Sequence, residues 1–219
     1  VGGGVGGYAR RKRWLQEGRS GGERGGKGNQ AQAEFESMVH YLGAGGTSFP
    51  TIAGSGADGT MLHHETNRDT CEDGTLLLLD LGAKVQGYCA DITRTYPVNG
   101  VFTPRQRAVY EVVLAANRAV AAAARPGVTL SGLNEICKQV LAEGCMKLGL
   151  IDSAEKIGTY YMHGVSHHLG IDVHDVSAGR DEPLKPGAVI TDEPGLYIDE
   201  WEIGIRIEDD LLICEDGCE

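Results

Sequence analysis

Residues 74–96 read GTLLLLDLGAKVQGYCADITRTY, and this stretch decides the fold. Asp73-Gly74 is a turn dipeptide, and residues 75–81 form a short apolar run of the kind that fills a buried strand. A second β-prone run covers 88–96. Acids interrupt both runs where apolar side chains are expected: Asp80 near the end of the first, Asp91 within the second. Residues 187–213, GAVITDEPGLYIDEWEIGIRIEDDLLI, repeat the arrangement. Gly74 precedes Asp80 by six residues and Gly187 precedes Glu193 by six. Each apolar strand leads to a carboxylate, and a returning strand brings a second, Asp91 or Glu208. This pattern predicts two hairpins facing one another across a shared site.

If the first hairpin turns at Val85-Gln86, position 80 lies directly opposite 91. If the second folds about Glu200-Trp201, position 193 lies opposite 208. Opposed residues share a sheet face with Cβ atoms about 5 Å apart, where like charges repel. A buried, unpaired carboxylate costs several kcal/mol, so four of them require cations. Residues 162–175, MHGVSHHLGIDVHD, add histidines, with His163 and His167 four apart and facing the same way. Four carboxylates with one imidazole suit Mn²⁺, Co²⁺ or Zn²⁺ rather than a thiolate-rich structural zinc site. Two such ions about 3.5–4 Å apart polarise a carbonyl and activate water. The constellation predicts metal-assisted hydrolysis.

Outward from this centre, Phe35, Met38, Val39 and Leu42 have helical spacing, with order beginning near Ala31. Residues 44–60 read as loop. Thr103-Pro104 is a helix start, with Val109, Val112, Val113, Ala116 and Val120 on one face. A further helix begins near Ser131. Residues 159–173, 187–193 and 203–213 are β-prone. The order predicts an α+β domain whose helices cover one side of a largely antiparallel sheet.

Composition excludes several classes. The 219 residues are 41% hydrophobic and 23% charged, with no apolar run near the roughly 20 residues of a membrane span. The formal net charge of −11 argues against nucleic acid as a partner. It divides into +5 on residues 1–30, eleven of them glycine, and −16 on 31–219. Residues 1–30 therefore read as a disordered or non-native leader. Six cysteines without a CxxC read as reduced thiols, consistent with the cytoplasm.

At Leu62-His63, Leu79-Asp80 with Gly82-Ala83, residues 87–100, 163–175, 193–197 and 204–210, the chain resembles the M24 metallopeptidases, the pita-bread fold. Within that family it is most similar to the Xaa-Pro aminopeptidase and Xaa-Pro dipeptidase branch. The resemblance covers about residues 31–219 and implies pseudo-twofold α/β halves around two divalent ions, Mn²⁺ foremost and Co²⁺ or Zn²⁺ next. It implies that Asp80 chelates one ion, His167 and Glu193 the other, and that Asp91 and Glu208 bridge both. Glu193 would also take a proton from the attacking water. His174 would contact the substrate carbonyl or its oxyanion, His163 would support the substrate pocket, and His63 would stabilise the tetrahedral intermediate or shuttle protons. Arg206 would orient the acidic ligands. Asp192 and Asp209, of opposite strand parity, would face away, and Tyr88 and Tyr197 would serve packing.

Relatives of this type carry a domain ahead of the catalytic one and continue beyond the last matched strand, so the chain reads as a catalytic part of a longer protein. The expected substrates are peptides with proline at the second position, and the expected full-length protein is a homo-oligomer. A dipeptidase is the nearest rival, and methionine aminopeptidase shares the ligand set. A non-catalytic pita-bread binding module is a third reading, but such modules lack the five ligands.

Overall fold

The computed structural model describes residues 25–62, 64 and 66–219. The leader expected at 1–30 thus falls mostly outside the described residues. Its last part is structured: Lys27 bridges to Thr70, and helix α1 (Gly28–Tyr41) starts three residues before the expected Ala31.

The leucine run is β3 (Leu76–Leu81), every residue of it buried. It is the middle strand of an antiparallel sheet, between β2 (Ile52–Ser55) and β6 (Ile92–Pro97). Its two faces explain why an unbroken apolar run is needed. Leu77, Leu79 and Leu81 pack in a small core with Ala53, Cys71 and, from α1, Ala31 and Phe35. Asp80 shares the opposite face with Leu76 and Leu78, by the alternation of a strand. The loop reading of 44–60 missed β2. Its sequence, Ile-Ala-Gly-Ser, has little β-propensity, yet all four residues are buried through their pairing with β3.

The first hairpin turns one residue later than expected. β4 (Ala83–Val85) pairs with β5 (Tyr88–Cys89), leaving Gln86 (φ 52°) and Gly87 (φ 90°) at the tip. Two left-handed residues make the turn whose twist suits a hairpin, and glycine adopts that conformation freely. The whole register shifts by two residues, so Asp80 lies opposite Thr93 and not Asp91. A two-residue shift leaves side chains on the same face, so Asp91 still points toward Asp80's side. It sits in the break between β5 and β6. A short third strand, β1 (Gly46–Thr47), flanks β4.

The second hairpin has the expected register. β7 (Val189–Asp192) pairs with β10 (Asp209–Leu212), and β8 (Gly195–Ile198) with β9 (Ile203–Arg206), around a tip at residues 199–202. The ladder is interrupted at 193–194 and 207–208, so Glu193 and Glu208 occupy opposed breaks. Helices α2 (Pro104–Ala123) and α3 (Leu130–Lys147) cover this half. Thr103 and Gln106 form the capping box of α2, and the Thr129 hydroxyl caps α3. Val109, Val113, Ala116 and Val120 share the main core with Leu133, Leu141, Ile190, Leu196, Ile205 and Ile213.

Residues 159–173 form no regular strand. Glu193, Thr191 and Leu169 donate backbone bonds to Val165, His167 and Val189 respectively, so the segment runs along β7 as an irregular edge. The two halves are joined at β6. The Glu208 N–H donates to the Thr93 carbonyl (3.0 Å), and the Thr95 hydroxyl donates to the Arg206 carbonyl (3.1 Å). No helix among the described residues is long and apolar enough to cross a membrane.

Candidate metal centre

Asp80 reaches the centre from β3, Asp91 and Glu208 from strand breaks beside β6, Glu193 from the break after β7, and His167 from the irregular edge. One ligand atom each from Asp91, His167 and Glu208 lie within 4.8 Å of one another. His167 Nε2 is 3.5 Å from Asp91 Oδ2 and 3.7 Å from Glu193 Oε1. The irregular segment lets His163 and His167 address one carboxylate, for His163 Nδ1 lies 3.8 Å from Glu193 Oε2. The His174 ring stands edge-on against His167 at 4.4 Å.

Arg206, 4% exposed, organises the acids. Its Nη2 donates to Asp80 Oδ2 (2.6 Å), its Nε to Thr93 Oγ1 (3.0 Å) and its Nη1 to the Tyr197 hydroxyl (2.9 Å). Thr93 passes the contact on, donating to Glu208 Oε2 (2.6 Å). The Tyr197 oxygen also lies 2.9 Å from His163 Nε2. One guanidinium thus ties Asp80 directly, Glu208 through Thr93, and His163 through Tyr197.

Thr93 and Tyr197 join this hydrogen-bond network, a place the sequence reading does not give them. Tyr197 was assigned to packing, and Thr93 was not singled out. The signal available was parity: Thr93 is two residues from Asp91, and Tyr197 is four from Glu193. His63 lies outside the described residues. Tyr88 is exposed, away from the core.

The electrostatics show an excess of buried negative charge. Burial raises the Asp91 carboxyl; its bond to His167 opposes the rise, and Asp80's charge adds to it. Burial pushes Glu193 up to about 7, against the nearby cationic groups His167 and Arg206. Burial, then the charges of Glu193, Asp91 and Asp80, hold Glu208 well above the usual carboxylate range. Burial alone would lower His167, but its bonds to Asp91 and the His168 carbonyl, with Glu193's charge, raise it. Asp80 Oδ1 and Asp91 Oδ1 are buried without a hydrogen-bond partner among the described residues. Orphaned carboxylate oxygens, carboxyls raised by burial and mutual crowding, and an imidazole form a donor set that fits divalent cations.

A family model described as metallopeptidase family M24 matches residues 8–215. The chain belongs to metallopeptidase family M24. Among curated M24 relatives, Xaa-Pro aminopeptidase from Escherichia coli K12 is 43% identical over 206 residues, covering 86% of this chain and 47% of its own length. The mitochondrial intermediate cleaving peptidase 55 of Arabidopsis thaliana is 39% identical over 198 residues, covering 86% and 40%. A solved structure of aminopeptidase P from E. coli with the inhibitor Pro-Leu superposes with a TM-score of 0.86 at 38% identity, covering 90% of this chain and 49% of that one. This M24 chain therefore has the pita-bread fold and spans less than half the length of these relatives.

Proposed function

We propose that this chain is the catalytic part of a dinuclear metalloaminopeptidase that removes the residue ahead of an N-terminal proline bond. The carrying observation is the convergence of Asp80, Asp91, His167, Glu193 and Glu208 on one buried centre with two orphaned carboxylate oxygens. Two divalent ions held by those five residues would supply Lewis acidity and lower the pKa of a water.

The remaining chemistry belongs to the protein. Arg206 fixes the rotamer of Asp80 and, through Thr93, that of Glu208, so the ligands are oriented before any ion arrives. Glu193, pushed up to about 7, can hold a proton on its carboxylate near neutral pH and so serve as base for the attacking water. The His163–Tyr197–Arg206 chain fixes the His163 ring beside Glu193, supporting the pocket wall. His174, more exposed than His167 and edge-on to it, would meet a substrate carbonyl. His63 is assigned to the same oxyanion by its motif position.

The proline preference rests on the relatives: the E. coli relative is an Xaa-Pro aminopeptidase, and its homologous structure holds Pro-Leu. The test is residue release by the full-length protein from an Xaa-Pro dipeptide and an Xaa-Pro-Yaa tripeptide. Release from the tripeptide supports the proposal. Release from the dipeptide alone assigns a dipeptidase, and no release from either peptide by the metal-loaded protein overturns the reading.

A further inference from the structure

A second group of metal-ligating side chains lies outside the centre described above. Asp58 sits on the 3-10 turn Gly56–Thr60, and this turn lies directly beneath β9: a Cβ added at Gly204 would fall 1.7 Å from the Gly59 carbonyl oxygen. His64 and Asp69 lie on the connection that leads toward β3. That connection is anchored by Asn67, which is 1% exposed. Asn67 accepts a bond from the Ala53 N–H (2.8 Å) and donates to the Thr51 carbonyl (2.6 Å) and Gln32 Oε1 (2.9 Å).

The His64 side chain is only 9% exposed. Its Nε2 lies 3.2 Å from Asp69 Oδ2 and 2.9 Å from Thr66 Oγ1, and its Nδ1 lies 3.8 Å from Asp58 Oδ1. One ligand atom each from Asp58, His64 and Asp69 falls within 4.8 Å of the other two. Two carboxylates thus crowd one imidazole. Burial raises the Asp58 carboxyl, His64 opposes the rise, and the charge of Asp69 adds to it. Ligands about 2.0–2.1 Å from a tetrahedral zinc lie about 3.3 Å apart. The His64 Nε2–Asp69 Oδ2 separation of 3.2 Å is close to that value.

We propose that Asp58, His64 and Asp69 form a third divalent-cation site, separate from the M24 centre and of the borderline class that combines imidazole with carboxylate, such as Zn²⁺. A cation there ties His64 and Asp69 to the turn beneath β9. His64 directly follows His63 in sequence, so occupancy of the site suits zinc-dependent tuning of the enzyme. With three protein ligands, the fourth position is left to water.

The probe is Zn²⁺ itself, measured by equilibrium dialysis and elemental analysis on the full-length protein, Asp58→Asn and His64→Gln. The parent is expected to bind one equivalent more than either variant. Its unfolding midpoint is expected to keep rising with Zn²⁺ after the other sites are full, a rise both variants lack. Equal stoichiometry in all three proteins would make the cluster a hydrogen-bonded hub only and overturn the proposal. If His64→Gln does not fold, the partly exposed, isosteric Asp58→Asn carries the comparison. The result is a difference of one equivalent, so failure of the five-residue centre would lower all three totals without abolishing that difference.

Discussion

Two pairs of carboxylates face each other across the second hairpin, one on each side. On the near side, Glu193 and Glu208 sit in the ladder breaks and look toward Asp80, Asp91 and His167. On the far side, Asp192 and Asp209 are directly paired in the ladder. The far pair is mostly met by protein partners, although Asp192 Oδ1 is also buried without a hydrogen-bond partner among the described residues. Asn117 of α2 donates to Asp192 Oδ2 (3.2 Å) and Asp209 Oδ2 (3.3 Å), and Arg94 pairs with Asp209. Burial, reinforced by Asp209 and Glu193, pushes fully buried Asp192 up to about 8, so it carries a proton at neutral pH. One proton, one amide and one guanidinium balance two acids. On the near side one guanidinium faces four acids, two of them with orphaned oxygens. Opposed acids alone therefore do not make a metal centre; what else points at them does.

The sharpest way to break this contrast is to neutralise one acid on each side. Glu193→Gln keeps the shape but loses the base, and kcat should fall on the order of 10²–10⁴-fold. Asp192→Asn, one residue away, should leave kcat and metal content nearly unchanged. Equal losses would mean that both faces belong to one network.

Arg206→Met removes the group that orients Asp80 and, through Thr93, Glu208. Metal affinity should fall about 10–100-fold, measured by competition with a chelator. Unchanged affinity would show that the acids position themselves. Tyr197→Phe is milder. It leaves Arg206 Nη1 and His163 Nε2 each short of one partner, a cost of about 1–3 kcal/mol in unfolding free energy. Its kcat should fall more than its KM rises if His163 orientation matters, whereas an effect on stability alone would return Tyr197 to packing.

The smallest effect is one of pH. Asp192 and Glu193 hold protons up to about 8 and about 7 when folded, against ordinary values of 3.8 and 4.5. Between about pH 4 and 8 the folded apo-protein binds more protons than the unfolded chain. This contribution to stability is full below about pH 4 and is lost as pH rises to about 8. The unfolding midpoint of chelated Asp192→Asn should therefore rise relative to the parent as pH increases. A relative fall would show that Asp192 is ionised in the fold.

The two hairpins also show what was legible in the sequence. The second was read correctly to the register because its tip is symmetric about Glu200-Trp201. The first was misplaced by two residues because Gln86 takes a left-handed conformation unusual for glutamine, and the adjacent Gly87 was not given its turn role. The candidate site survived that error because a two-residue slip preserves the face. Less accessible were features made by contact rather than pattern. β2 is a strand through its pairing with β3, and the 159–173 run meets β7 only through scattered backbone bonds. Thr93 and Tyr197 bear ordinary polar tips whose role appears only once Arg206 lies between them.

The central proposal is that Asp80, Asp91, His167, Glu193 and Glu208 would together hold two ions. Its most direct test is Mn²⁺ content per chain in the full-length protein, in the Asp58→Asn background so that only this centre is counted. Two ions are expected, falling below one when Asp91→Asn is added. Two ions retained after Asp91→Asn would contradict the account.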